Sequence, residues 1–136
     1  MKLFTSGSIS KKLVFLVMDD EKMVCDLLEA MLNRMGHDVI LAEDGEQAIT
    51  AYKKALANNR AVDLTIMDLT IPGGMGGKKA VLKILAINPD AKVIVSSGYS
   101  NDPIMADYKK YGFCSAIVKP YQLQEISRVI NQVIAE

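Results

Sequence analysis

Short apolar runs alternate along this chain with longer segments in which apolar residues recur every three or four positions. Runs of three to six residues with few polar side chains are typical of strands buried on both faces of a sheet. The longer segments have the periodicity of amphipathic helices. The pattern therefore predicts strands over residues 13–18, 39–42, 62–67, 92–95 and 116–118.

The periodic segments predict five helices, over residues 22–35, 44–57, 78–87, 103–111 and 123–134. Asp44 and Gln47 have capping-box spacing at the start of the second. The fourth has only a thin apolar stripe, so we expect it to be a moving part. Expected buried positions are Met23, Val24, Leu27, Leu28, Met31, Leu32 and Met35 in the first helix, Ala48, Ile49, Tyr52 and Leu56 in the second, and Leu123, Ile126, Val129, Ile130, Val133 and Ile134 in the last.

Strict alternation of strand and helix predicts an α/β fold with a parallel sheet and right-handed crossovers. A single doubly wound, five-stranded parallel sheet of order 2-1-3-4-5, with five helices, fits the number of strands. The chain of 136 residues has room for one such domain, over residues 12–136, after a flexible lead-in or linker over residues 1–11.

Charge and cysteine content narrow the function classes. Sixteen basic and sixteen acidic side chains cancel, so no general field attracts nucleic acid or a membrane surface. Cys25 and Cys114 lie in apolar segments, where we expect small buried thiols in a reducing, cytoplasmic protein. His37 is the only histidine and is expected in a solvated turn. No apolar run approaches the roughly 18 residues of a membrane span.

Charged and hydroxyl side chains follow four of the predicted strands. Asp19 and Asp20 follow the first, Asp68 the third, Ser97 the fourth and Lys119 the fifth. The carboxyl ends of parallel strands share one edge of the sheet, where open α/β folds bind their ligands. In the order 2-1-3-4-5 the first and third strands are neighbours, so the three carboxylates should converge.

Three carboxylates at one edge repel one another unless a cation compensates them. Mg²⁺ is suited to such oxygen ligands and leaves positions for phosphate oxygens. Lys119 would supply a second positive charge and Ser97 a hydroxyl donor, so the group can neutralise a transferring phosphoryl group. Asp68 ends the central strand and is the best candidate acceptor.

Four motifs follow one another along the chain: Asp19-Asp20, Asp68 with Pro72 four residues later, Ser97 followed by Gly98, and Lys119-Pro120. In this order and spacing they resemble the receiver domain of two-component response regulators, the CheY-like family, over residues 13–136. This resemblance implies a flavodoxin-like, CheY-like fold. The chain also resembles, more weakly, the receivers attached to hybrid sensor histidine kinases.

The resemblance implies that Asp68 accepts a phosphoryl group from a histidine kinase or a histidine phosphotransfer protein. Mg²⁺ would be held by Asp20, Asp68 and the backbone carbonyl of Thr70, with Asp19 acting through water. Such a domain is not an enzyme, since it catalyses only its own phosphorylation and dephosphorylation.

Ser97 and Lys119 would contact the phosphoryl group, and the peptide bond before Pro120 would be cis. The fourth helix, fifth strand and fifth helix would form the switching face. This chain departs from the family at Ala116, where receivers often carry an aromatic residue. Tyr99, Phe113 or Tyr121 would have to substitute, and Thr70 and Tyr99 would tune phosphoryl hydrolysis.

Other readings remain open. A phosphorylation-independent interaction module of the same fold is compatible with Ala116. An aspartate-nucleophile phosphatase would need a second acid where Thr70 stands, and a Ser97 hydrolase lacks the Gly-x-Ser-x-Gly elbow. The glycine cluster at residues 73–77 lacks the spacing of a phosphate loop and is expected to be a mobile loop.

The partners implied are a histidine kinase or phosphotransfer protein and a downstream protein target. Because no effector follows Glu136 in this sequence, we expect output through protein contact or phosphoryl relay, with no nucleic acid or membrane bound by this chain. A monomer and a transient dimer both remain open.

Overall fold

A five-stranded parallel sheet of order β2-β1-β3-β4-β5 forms the centre of the computed structural model. The structure describes residues 11–99 and 101–135, so all of the predicted lead-in except Lys11 lies outside it. The predicted fold class and strand order are confirmed. The strands are β1 Val14–Met18, β2 Asp38–Ala42, β3 Leu64–Asp68, β4 Val93–Ser97 and β5 Ser115–Val118.

Helices cover both faces of this sheet, close to the predicted positions. None of the helices in the described ranges is long and apolar enough to cross a membrane. Their bounds are α1 Lys22–Arg34, α2 Gly45–Ala57, α3 Gly77–Ile87, α4 Pro103–Ala106 and α5 Leu123–Ala135, with a 3-10 helix at Tyr108–Tyr111.

The start of α2 follows its predicted capping chemistry. The backbone N–H of Gln47 donates to Asp44 Oδ1 at 2.9 Å, which satisfies one of the free donors of the first turn. The Gln47 side-chain oxygen in turn accepts the backbone N–H of Glu43, also at 2.9 Å. The two hydrogen bonds fix the position at which α2 begins after β2.

The prediction of one continuous helix over residues 103–111 is wrong. The helix α4 stops after a single turn, because Asp107 leaves the helical region with φ −116° and ψ 36°. A 3-10 helix then runs to the left-handed Gly112, where φ is 102°. Met105 is the buried residue of α4, so little apolar surface holds the segment in a longer helix.

The core has two apolar clusters, and several predicted core residues lie outside both. Met23 is 85% exposed, the highest exposure among the residues predicted to be buried. In α1 the buried line is Cys25, Leu28 and Leu32, which is narrower than the predicted stripe because a helix buries only the arc that touches the sheet. The other residues wrongly predicted as buried are Leu27, Leu56 and Leu123.

The prediction of a solvated His37 is also wrong. The ring is buried, its Nδ1 accepts the backbone N–H of Leu13 at 3.1 Å, and its centroid lies 5.2 Å from that of Phe15. Burial lowers the pKa of His37, which keeps the ring neutral. Asp63 accepts the neighbouring backbone N–H of Val14 at 2.8 Å. These two side chains together hold the beginning of β1.

Cys25 and Cys114 are not joined to each other by a disulfide. Cys25 is buried as predicted, and burial, with the charge of Asp19, raises its pKa to about 11. Cys114 is only half-buried, which differs from the prediction, because β5 is an edge strand of the sheet.

Candidate functional site at the carboxyl edge of the sheet

Three carboxylates meet where β1 and β3 end. Asp19, Asp20 and Asp68 each offer one oxygen, and these oxygens lie within 4.8 Å of one another. The convergence follows from the pairing of β1 with β3, which sets Met18 opposite Met67. Asp19 and Asp68 are buried while Asp20 faces solvent. A set of oxygen donors this close fits a hard divalent cation such as Mg²⁺.

Lys119 closes the site from the end of β5. Its Nζ lies 2.7 Å from Asp19 Oδ2 and 3.4 Å from Asp68 Oδ2. Burial acts to lower the pKa of Lys119, but the ion pairs with Asp19 and Asp68 outweigh burial and raise the pKa overall. The ammonium group therefore keeps its charge beside the two carboxylates.

Glu21 joins this cluster and was missed by the sequence reasoning. Its Oε1 lies 3.4 Å from Lys119 Nζ, and its backbone N–H donates to Asp19 Oδ1 at 2.9 Å. The available signal was a third consecutive acid after Asp19 and Asp20. Glu21 is exposed, so its contribution to Lys119 is weakened by water.

The pKa of Asp68 is raised to about 6, mainly by burial and then by the charge of Asp19. Lys119 and a hydrogen bond from the backbone of Thr70 act in the opposite direction. With a pKa of about 6, the Asp68 carboxylate is ionised at neutral pH, and a bound cation would stabilise its charge. That property is what a metal-assisted acceptor requires.

The remaining predicted residues frame a cavity of about 580 Å³ above Asp68. Ser97 is buried, and its Oγ accepts the backbone N–H of Tyr99 at 3.0 Å. Tyr99 itself is exposed at the rim. Of the predicted site residues, Asp19 and Pro120 do not line the cavity. The lining residues are Asp20, Glu21, Asp68, Thr70, Pro72, Ser97, Gly98, Tyr99 and Lys119.

The glycine-rich loop between β3 and α3 packs closely on its neighbours, and its expected mobility stays a prediction. The backbone N–H of Gly77 donates to the Leu69 carbonyl at 3.1 Å, and that of Gly45 to the Met75 carbonyl at 2.8 Å. A Cβ on Gly76 would lie 2.4 Å from the Leu69 carbonyl oxygen. Glycine is needed here for close backbone approach, and this packing fixes the chain around Thr70.

The Lys119–Pro120 peptide bond is cis, as the family resemblance implies. Beyond it, the Tyr121 hydroxyl forms a hydrogen bond with the Ser96 hydroxyl, and both side chains are buried. Burial is the main cause that raises the pKa of Tyr121 to about 12, so the phenol keeps its proton at neutral pH. Ser96 was not singled out in the sequence analysis.

The three aromatic residues near Ala116 occupy different places. Ala116 packs against the first core cluster, which contains buried Phe113. Tyr121 belongs to the second cluster, on the other face of the sheet. Tyr99 is 73% exposed. Phe113 is therefore the only one of the three that shares the side of Ala116 within the core.

Comparisons with known proteins converge on one family. The model of the response regulator receiver domain matches residues 15–131. The chemotaxis protein CheY of Thermotoga maritima is 30% identical to this chain over 119 residues, covering 87% of this chain and 94% of that protein.

Two solved structures add the fold to this sequence similarity. The CheX–CheY complex with BeF3 and Mg²⁺ from Borrelia burgdorferi has a TM-score of 0.82 at 26% identity, covering 91% of this chain and 90% of that chain. The response regulator TrrA of Thermotoga maritima in complex with Mg²⁺ and BeF has a TM-score of 0.76 at 26% identity, covering 89% and 98%.

Proposed function

Because the chain belongs to the response regulator receiver domain family, we propose that it accepts a phosphoryl group on Asp68 in a two-component phosphorelay. Receiver domains are signalling modules rather than conventional enzymes. One observation carries the proposal: Asp68 lies 3.4 Å from Lys119 and has two further carboxylates within reach of a shared cation. The donor would be a histidine kinase or a histidine phosphotransfer protein.

Asp20, Asp68 and the backbone carbonyl of Thr70 would hold Mg²⁺, with Asp19 acting through water. The raised pKa of Asp68 supports this assignment, since the buried carboxylate lacks sufficient positive charge. When bound, Mg²⁺ would neutralise the carboxylates and offset the charge of the phosphoryl oxygens.

In the transfer step, one Asp68 carboxylate oxygen forms a bond to phosphorus while the phosphorus–nitrogen bond of the donor phosphohistidine breaks. The bonding electron pair stays on the imidazole nitrogen, which leaves as neutral histidine when its other nitrogen carries a proton. Lys119 stabilises the charge that spreads over the phosphoryl oxygens, and Ser97 donates its hydroxyl to one of them. The chain thus catalyses its own phosphorylation and, with water as acceptor, its dephosphorylation.

The new anion on Asp68 would then change the face formed by α4, β5 and α5. Lys119 would be drawn from Asp19 toward the phosphoryl group, which biases a two-state element. The short α4, with Met105 as its buried residue, supports its role as the moving part. Ala116 favours a second candidate, a phosphorylation-independent module of the same fold.

The test is intact-mass spectrometry after incubation with acetyl phosphate and Mg²⁺. We expect one added phosphoryl group in the wild type and none in Asp68→Asn, with the exposed Asp90→Asn as a matched control that behaves as wild type. No adduct in a wild type that binds Mg²⁺ would reject the proposal in favour of the phosphorylation-independent module. An origin in a hybrid sensor kinase, a cytoplasmic location and the oligomeric state stay predictions.

A further inference from the structure

A buried pair of hydroxyl groups lies behind the site. Ser96 is 1% exposed and Tyr121 is 8% exposed, and their hydroxyls are hydrogen-bonded to each other. The bond joins the end of β4 to the turn that connects β5 with α5. The two residues are 25 positions apart in the chain. Backbone pairing between β4 and β5 ends at Val118, so the hydroxyl pair extends the connection beyond the sheet.

Each partner is the close neighbour of a residue of the site. Ser96 directly precedes Ser97, and Tyr121 follows Lys119 by two residues. Backbone bonds extend the link, because the N–H of Leu69 donates to the Ser96 carbonyl at 2.8 Å and that of Lys119 to the Ser97 carbonyl at 2.9 Å. The ends of β3, β4 and β5 are thus tied together around the hydroxyl pair.

Neither member of the pair lines the cavity above Asp68. Ser96 is registered with Asp68 on β3 and with Ile117 on β5, and Ile117 belongs with Tyr121 to the second core cluster. Side chains alternate along a strand, so Ser97, which does line the cavity, faces the other side of β4. Because Ser96 and Tyr121 lie outside the cavity, their influence on the phosphoryl group acts through Ser97 and Lys119.

Packing alone does not require these hydroxyls. A phenylalanine at position 121 would fill the same apolar volume, and an alanine or valine would suit the buried end of β4. Two hydroxyls buried without partners would cost free energy, whereas paired hydroxyls fix a geometry. The arrangement therefore specifies position more than it adds hydrophobic burial.

We propose that the Ser96–Tyr121 hydroxyl pair positions Lys119 and Ser97 relative to Asp68 and so sets the rate at which Asp68 gains its phosphoryl group. This inference rests on the proposed function. It also gives the site a connection to α5, which begins at Leu123, on the face of the sheet opposite Ala116.

The experiment compares Tyr121→Phe, Ser96→Ala and the double variant by the time course of phosphorylation with acetyl phosphate and Mg²⁺. We expect each single variant to be about five-fold slower, the factor that corresponds to one ordinary hydrogen bond. The double variant should be no slower than the single variants, because the pair acts as one unit. Ser96→Thr retains the hydroxyl and should restore the wild-type rate.

Two further readouts separate positioning from a purely structural role. Mg²⁺ affinity should be unchanged in all variants, because Asp19, Asp20 and Asp68 are intact. Circular dichroism and urea unfolding establish that each variant is folded under the assay conditions. If the wild type is phosphorylated and the folded variants are phosphorylated at the same rate, the positioning role is overturned and the proposed function stands. A wild type that never gains a phosphoryl group would overturn the proposed function and, with it, this inference.

Discussion

Lys119 and Asp19 form a buried ion pair, with 2.7 Å between Nζ and Oδ2 and with side chains only 15% and 2% exposed. Removing one partner of such a pair leaves an uncompensated buried charge. We expect Lys119→Met to lower the free energy of unfolding by about 3 kcal/mol in urea titrations without metal. Adding Mg²⁺ should restore part of the loss. Lys12→Met is the control, because its 3.8 Å pair with Asp38 is exposed; equal losses in both variants would contradict the argument.

Asp68 makes the metal-free protein less stable as the pH rises. Its pKa is about 6 in the folded protein against 3.8 ordinarily, so the folded state binds the proton more tightly. The stabilisation is complete below about pH 4 and is lost as the pH rises through 6, by roughly 3 kcal/mol. Asp68→Asn should abolish this slope in urea unfolding with EDTA, whereas Asp90→Asn should retain it. A slope that survives in Asp68→Asn would assign it to another group.

His37 should have the opposite pH dependence. Its pKa is lowered by burial, so the stability that it contributes is present above pH 6.5 and is lost as the pH falls below that value. His37→Asn keeps an acceptor for the Leu13 N–H but cannot titrate. We expect a lower unfolding free energy at neutral pH and a flatter profile below pH 6.5. The measurement is clearest in the Asp68→Asn background, and an unchanged acid slope there would argue against a neutral buried ring.

Thr65 is buried in the centre of β3, and its Oγ1 has no hydrogen-bond partner among the residues that the structure describes. A buried hydroxyl without a partner loses its bonds to water on folding. Thr65→Val replaces it with a methyl group of similar shape and should raise the free energy of unfolding by about 1 kcal/mol. The exposed Thr50→Val serves as the control. A destabilised Thr65→Val would indicate that the hydroxyl is bonded after all.

Gly76 should tolerate no side chain. A Cβ there would lie 2.4 Å from the Leu69 carbonyl oxygen, so backbone would have to move. Gly76→Ala should lower the free energy of unfolding by about 2 kcal/mol. It should also weaken Mg²⁺ binding, since the same loop carries Thr70. Gly98→Ala is the control and should leave stability unchanged, because a Cβ there meets nothing within 4 Å. If Gly76→Ala destabilises the protein no more than Gly98→Ala does, the loop accommodates a side chain by a small backbone shift and the argument is wrong.

The fold and the main site were predictable because both depend on local or topological rules. Apolar runs such as residues 13–18 specify buried strands, and the parallel order places every strand's carboxyl end at one edge. Strand order alone therefore predicts that five side chains converge, without any knowledge of side-chain packing. These are Asp19, Asp20, Asp68, Ser97 and Lys119. The sequence by itself thus determined the sheet order and the acids, hydroxyl and ammonium group that meet on it.

Only the tertiary structure decided which side chains face which neighbours. His37 is buried because it packs on Phe15 and accepts a backbone N–H across 24 residues, and no local pattern encodes such a contact. Met23 has the periodicity of a core residue but extends past the sheet into solvent. The Ser96–Tyr121 pair joins residues whose meeting depends on the register of β4 with β5. Local periodicity specifies elements, whereas the contacts between distant residues exist only once the elements have packed.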